Sequence, residues 1–258
     1  MILNVSLVQP DLEWERIEEN FARLEKLIQA IKTPTDLIVL PELFSTGFSM
    51  NTSSLAENMT GSSMRWMKKM ASSLSSCITG SLIIKEKGNH FNRLVFMYPS
   101  GEFKIYDKRH LFRMGKENEY YKPGAQRLIV ELNGWQIRPL ICYDLRFPVW
   151  SRNRMDYDIL IYVASWPESR KEVWETLLKA RAIENQSYVI GVSRIGIDGI
   201  NINHTGESMV FDYKGNQLLK LPANIETVGS VTLNKENLTR FRSTFPVYLD
   251  ADKFRFIV

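Results

Sequence analysis

Three strand-like runs in this 258-residue chain each hand over to a residue that carries chemistry, which ties the fold to strands and the function to their ends. Leu37-Ile38-Val39-Leu40 leads into Pro41-Glu42, the run from Glu102 to Tyr106 into Asp107-Lys108, and the run from Gln136 to Ile141 into Cys142-Tyr143-Asp144. Short apolar runs bounded by turn residues read as buried strands. A carboxylate, an ammonium and a thiol thus sit at strand ends.

Around these runs, strand-like and helix-like periods alternate. Ile2 to Val8 reads as a strand. Trp14, Ile17, Phe21, Leu24, Ile28 and Ile31 then recur every three or four residues, the period of an amphipathic helix that Thr33-Pro34 ends. A loop from Phe44 to Thr60, rich in Ser, Asn and Gly, precedes a helix with Met64, Met67 and Met70 on one face, where core packing is their expected role. Ile78 to Lys85, Phe91 to Tyr98 and Glu102 to Tyr106 follow as strands, the last two joined by Pro99-Ser100-Gly101. Arg109 to Gly124 is charged and aromatic without a period, and so long a loop inside a compact domain is more often functional than idle. Asn133-Gly134 marks a hairpin between strands over 128–132 and 136–141. A helix from Pro148 to about Met155, a strand over 159–164, a helix from about Arg170 to Asn185 and a strand over 188–193 continue the alternation, and strands dominate to Thr232. The pattern fits two sheets packed face to face with helices outside, and it fits a single doubly wound sheet as well.

The trio has a chemical logic. The thiolate is the nucleophile, and a free cysteine with a pKa of about 8.5 is mostly protonated at neutral pH, so it needs a base and a cation. Glu42 can accept the thiol proton and return it to a leaving group, while Lys108 can hold the charge that develops on a carbonyl oxygen. The same residues also have a plain reading, in which Cys142 is a small buried thiol, Glu42 a cap and Lys108 a solvated charge.

Composition narrows the class. Hydrophobic content of 44% and charged content of 24% are those of a globular protein, and no stretch reaches the roughly 18 apolar residues of a membrane span. The net charge of +4 is scattered and forms no basic stripe, so nucleic acid is not implied. Cys77 and Cys142, in unlike settings, argue against a disulfide framework and for a reducing compartment. The N-terminal segment lacks a basic region and a cleavage site, and a cytoplasmic protein is expected. His90, His110 and His204 have no ligand spacing and nucleotide fingerprints are absent, so neither metal nor cofactor is expected. The segment His204-Thr205-Gly206-Glu207-Ser208 reads as structural.

Four segments resemble the carbon-nitrogen hydrolases of the nitrilase superfamily, over nearly the whole chain: Leu40-Pro41-Glu42-Leu43-Phe44, Tyr106-Asp107-Lys108-Arg109-His110-Leu111, Cys142-Tyr143-Asp144-Leu145-Arg146-Phe147-Pro148 and Ala180-Arg181-Ala182-Ile183-Glu184-Asn185-Gln186. Within that family the cysteine segment with Val149-Trp150-Ser151-Arg152-Asn153 is similar to bacterial omega-amidases, which act on 2-oxoglutaramate-type substrates; Tyr143-Asp144 in place of Trp-Glu argues against nitrile hydrolysis. The resemblance implies an α/β fold of the four-layer α-β-β-α sandwich type, with 1–258 as one domain and 241–258 as a C-terminal tail. It implies Glu42 as general base, Lys108 as oxyanion-holding cation, Cys142 as nucleophile and a second glutamate in the loop before Pro123-Gly124. A count of six back from that pair gives Glu117, with Glu119 as its rival.

The activity implied is release of ammonia from the omega-amide of a small dicarboxylic acid monoamide such as 2-oxoglutaramate or 2-oxosuccinamate, without cofactor. N-carbamoyl amino acid hydrolysis, another aliphatic amidase activity and a catalytically silent binding module are the alternatives. Tyr143 is expected to contribute its backbone N–H, and Arg146 to grip a substrate carboxylate in its planar fork from the start of a helix. The other reading of Arg146 is an ion pair with Asp144 or another local acid. Trp166 and Phe48 are candidates for the pocket wall, with core packing as the alternative. The family implies a homodimer, and aromatic Phe245, Tyr248, Phe254 and Phe256 mark the tail as a partner contact or a pack onto its own subunit.

Overall fold

The computed structural model describes residues 1–255. Along it run β1 (Ile2–Gln9), α1 (Ile17–Gln29), β2 (Leu37–Val39), α2 (Thr52–Leu55), α3 (Ser62–Leu74), β3 (Cys77–Glu86), β4 (Asn89–Met97), β5 (Phe103–Asp107), α4 (Glu117–Tyr120), β6 (Val130–Leu132) and β7 (Trp135–Ile141). There follow α5 (Pro148–Ser151), β8 (Ile159–Ala164), α6 (Lys171–Asn185), β9 (Tyr188–Ser193), β10 (Ile195–Ile197), β11 (Asn203–Thr205), β12 (Met209–Phe211), β13 (Gln217–Lys220), β14 (Thr227–Asn234) and α7 (Lys235–Thr244).

Side chains alternate across a strand, and here both faces are covered. Leu3, Val5 and Leu7 of β1, Leu37 and Val39 of β2, and Leu94 and Phe96 of β4 enter one apolar cluster together with β7, β8 and β9. Their neighbours Val8, Ile38, Val95 and Met97 enter a second cluster with Phe21, Leu24 and Ile28 of α1 and Met64, Met67 and Met70 of α3. The first cluster fills the seam between two sheets and continues to α6 on the outer face of one of them, and the second is the seam between the other sheet and its helices. Those sheets have strand orders β14-β1-β2-β3-β4-β5 and β13-β12-β9-β8-β7-β6, each with parallel strands at its centre. Trp174 and Leu178 of α6 cover the outer face of the second sheet, and a Cβ on Gly191 of β9 would lie 2.4 Å from Leu178, so glycine permits that close approach. The result is an α-β-β-α sandwich.

Several expected elements differ. The aperiodic stretch from Arg109 to Gly124 contains a 3₁₀ turn at Arg113–Gly115 and α4, and the Phe44–Thr60 loop contains α2. The helix expected to reach Met155 stops at Ser151. Residues 235–244, which carry no clear period, form α7: Leu238 is fully buried, and Arg242 donates to the carbonyls of Gln186 and Tyr157, each at 2.9 Å, and to Asp158 at 3.2 Å. The segment expected as a tail therefore begins inside a helix. The Phe241 ring packs tilted against Tyr213 with centroids 5.0 Å apart, and Arg154 lies over the Phe254 ring at 4.6 Å, both within this subunit, while Phe245 is 58% exposed. Phe256 lies outside the described residues.

Candidate active site

The three strand ends singled out in the sequence meet at one edge of the sandwich, two from the first sheet and one from the second. Beyond β2 the chain turns sharply through Leu43, whose φ of +45° lies in the left-handed region, and the Leu43 N–H donates to Ser81 Oγ at 2.9 Å. This turn carries Glu42 across to the second sheet, where its N–H approaches the Ala164 carbonyl and its Oε2 accepts the Ser165 N–H at 3.0 Å. Lys108 follows β5, and its N–H is held by the Asn92 carbonyl at 3.0 Å. Its own carbonyl accepts the Gly124 N–H at 2.9 Å, and a Cβ on Gly124 would lie 2.2 Å from the Asp107 carbonyl oxygen. Only glycine fits there, which is why Pro123-Gly124 marks the loop that returns Glu117 to Lys108.

Cys142 follows β7 with a φ of +42°, a conformation costly to a residue with a Cβ, and opens a 3₁₀ turn over Cys142–Arg146. Asp144 holds that turn. Its buried carboxylate accepts the Ile141 N–H at 3.1 Å, the Tyr106 hydroxyl at 2.7 Å and the His110 N–H at 3.0 Å, and His110 Nδ1 lies 2.7 Å from its Oδ1. Tyr106 and His110 flank Lys108 in sequence, so Asp144 ties the cysteine turn to the lysine segment. Stacking of His110 on Phe147, with centroids 3.7 Å apart, closes the same junction.

Glu42, Lys108 and Glu117 are all fully buried. Lys108 Nζ donates to Glu42 Oε1 at 2.7 Å and to both oxygens of Glu117, at 3.0 and 2.9 Å. Asn92 Nδ2 bridges the two carboxylates from β4, at 2.8 Å to Glu42 and 3.1 Å to Glu117. The Phe112 N–H gives Glu117 Oε2 a further donor at 2.6 Å. Burial alone would push the Lys108 ammonium down, but the charges of Glu117 and Glu42 outweigh it and hold the pKa up. Burial and the nearby Glu42 charge hold Glu117 above the usual carboxylate range against the pull of Lys108. Burial, then the Glu42 carboxylate, hold the Cys142 thiol well above its ordinary value, so the resting sulfur is a thiol with a base beside it. Removing one member of such a buried ion cluster typically costs about 3–5 kcal/mol, because the others are left uncompensated. Glu119, by contrast, is exposed. Cys77, also free, is buried at the start of β3, where burial pushes its thiol up to about 12.

A cavity of about 640 Å³ opens over Cys142 and Glu42, and Phe48, Tyr143, Arg146 and Trp166 all line it. Arg146 is the last residue of the 3₁₀ turn and not the start of a helix, and it lies 5.9 Å over the Trp166 ring. Asp144 is occupied by its other donors, and among the described residues no carboxylate lies within ion-pair distance of Arg146. Arg170 also lines the cavity, 5.2 Å over Phe112. Trp166 Nε1 donates to the Arg170 carbonyl at 2.8 Å, which joins the two arginines through one indole. Sequence reasoning missed Asn92, although an asparagine inside an apolar strand was a signal, since strands are depleted in it. His204, read as structural, is buried and also lines the cavity. Among the described residues no group of His, Cys, Asp and Glu is arranged to hold a metal ion, and no helix is long and apolar enough to cross a membrane.

Known proteins match this geometry over nearly its full length. The carbon-nitrogen hydrolase family profile matches residues 4–243. The chain is 42% identical to omega-amidase YafV of Escherichia coli (strain K12) over 255 residues, 98% of each protein. It is 31% identical to 2-oxoglutaramate amidase of Bacillus subtilis (strain 168) over 254 residues, 96% of this chain and 97% of that one. The crystal structure of XC1258 from Xanthomonas campestris, a CN-hydrolase superfamily protein with an arsenic adduct in its active site, superposes with a TM-score of 0.96 at 39% identity and covers 99% of both chains. With strand ends, buried charges and cysteine turn all set in one sandwich, this chain belongs to the carbon-nitrogen hydrolase family.

Proposed function

We propose that the chain is a cysteine-dependent omega-amidase that releases ammonia from small dicarboxylic acid monoamides such as 2-oxoglutaramate or 2-oxosuccinamate. The observation that carries this reading is the Glu42–Lys108–Glu117 cluster set beside the Cys142 thiol at the base of a cavity whose rim bears Arg146, with no carboxylate of the described residues in ion-pair reach. The names of the Escherichia coli and Bacillus subtilis relatives support it.

Glu42 takes the thiol proton as Cys142 Sγ attacks the amide carbon. The oxyanion that forms is held by the Lys108 ammonium, which lies 5.1 Å from the cavity-lining Phe48 ring, and by the Tyr143 N–H, one of the donors left open at the start of the 3₁₀ turn. Glu42 returns the proton to the leaving nitrogen and ammonia departs, leaving a thioester. Water, deprotonated by Glu42, then attacks the thioester carbon, and the sulfur leaves with the proton that Glu42 carries. Glu117 orients Lys108 throughout. Arg146 binds the distal carboxylate, against the wall formed by Trp166 and Phe48. The whole of 1–258 acts as one domain in a reducing cytoplasm, which keeps Cys142 free, and pairs as a homodimer; exposed Phe245 and Leu249 support that pairing. Light scattering tests it.

The test of the activity is ammonia release from 2-oxoglutaramate, succinamate, glutamine and an N-carbamoyl amino acid, measured side by side. The two amides with a carboxylate at the far end and no amino group should turn over fastest. Preference for the N-carbamoyl compound would replace this reading with a carbamoylase.

A further inference from the structure

The two oxygens of Glu42 are not equivalent. Oε1 accepts Lys108 Nζ at 2.7 Å and Asn92 Nδ2 at 2.8 Å, whereas Oε2 accepts the Ser165 N–H at 3.0 Å. A carboxylate oxygen offers about two lone-pair sites, so Oε1 is filled and Oε2 keeps one site open. Asn92 is what fills the second site on Oε1. It is fully buried, does not line the cavity, reaches Glu117 Oε1 at 3.1 Å with the same amide nitrogen, and supports Lys108 through its backbone carbonyl. Its Oδ1 has no hydrogen-bond partner among the described residues. Turning the amide over would aim that oxygen at two carboxylates, so charge fixes the orientation. The fold leaves a buried acceptor unpaired in order to bring N–H donors to Glu42 and Glu117.

We propose that Asn92 is a positioning residue that selects which oxygen of Glu42 works as the base: by sharing Oε1 with Lys108 it leaves Oε2 to take the proton of Cys142. The inference rests on the proposed role of Glu42. Without Asn92, Oε1 regains an open site, and both carboxylates lose a donor that favours their charged form.

The experiment compares Asn92→Ala, Asn92→Ser and the unaltered protein in two assays across pH. In the first, turnover of 2-oxoglutaramate by Asn92→Ala should fall about 10- to 100-fold in kcat with KM nearly constant, and the acid limb of kcat/KM should move up by about one pH unit. Asn92→Ser, which keeps a single donor, should lie between. In the second, alkylation of Cys142 by iodoacetamide, read by mass spectrometry, should show the same upward movement. Thermal melting checks that the variants are folded, and Asn92→Ser carries both readouts if Asn92→Ala does not fold. Profiles that superpose on that of the unaltered protein, with activity falling only as folded protein is lost, would overturn the proposal. If the unaltered protein hydrolysed no omega-amide but Asn92 still moved the alkylation profile, the amidase reading would fail and the role of Asn92 would stand.

Discussion

Glu42, Lys108 and Glu117 at the base of the cavity are fully buried and joined by contacts of 2.7–3.0 Å, whereas Arg146 and Arg170 nearer the opening rest on aromatic faces with no carboxylate of the described residues in ion-pair reach. Charges that already have partners are held in place before any substrate arrives, and such preorganised groups stabilise charge that develops during a reaction. Charges left without partners are poised to gain one, and an anionic ligand is the gain on offer. The base is built for the chemistry and the rim for the choice of molecule, so substitutions in the two regions should separate kcat from KM.

The sharpest break is at the sulfur. Cys142→Ala should fold and lose turnover by at least about 10⁴-fold, and mass spectrometry with a slow substrate should find the adduct on Cys142 in the unaltered protein. Cys77→Ala should leave activity nearly unchanged, and an adduct on Cys77 would overturn the mechanism. Next comes the buried carboxylate: Glu117→Gln should lower kcat by about 10²–10³-fold, while Glu119→Gln, at an exposed position, should stay within about two-fold. The reverse order would move the loop carboxylate to Glu119. Smallest is the rim. Arg146→Lys should raise KM for omega-amides of dicarboxylates by about 10- to 150-fold, the equivalent of a charge-assisted contact of roughly 1.5–3 kcal/mol, and leave propionamide turnover little changed. Equal losses on both substrates would mean that Arg146 shapes the cysteine turn and that Arg170 is the carboxylate partner.

The residues at strand ends were legible in the sequence because each terminates a strand-like run, and strand ends are where chemistry-bearing side chains gather at the edge of a sheet. Glu117 was reached by counting back from Pro123-Gly124, a count that works because Gly124 is pinned against the Asp107 carbonyl. Asn92 was not legible in that way. Its strand is buried without alternation from Asn92 to Met97, so the position stands out by residue type and not by period, and the partners of its amide lie 50 and 25 residues away. Asp144 belonged to a recognisable segment, but its hold on His110 and Tyr106 exists only once the two sheets face each other. The helix at 235–244 escaped notice because its inner face is narrow, Leu238 and a buried arginine, and an arginine satisfied by backbone carbonyls has no apolar signature.

The left-handed backbone of Cys142 sets stability against use. A glycine would adopt the φ of +42° without strain, and so Cys142→Gly should melt above Cys142→Ala although both are inert. Replacing the whole Glu42–Lys108–Glu117 cluster by well-packed apolar side chains would likewise relieve the electrostatic burden of the interior, whereas removing the carboxylates alone would strand the buried Lys108 ammonium. Directed evolution for heat resistance alone would therefore drift toward sturdy, idle sequences, and a selection meant to keep the protein working must reward turnover and endurance in the same round.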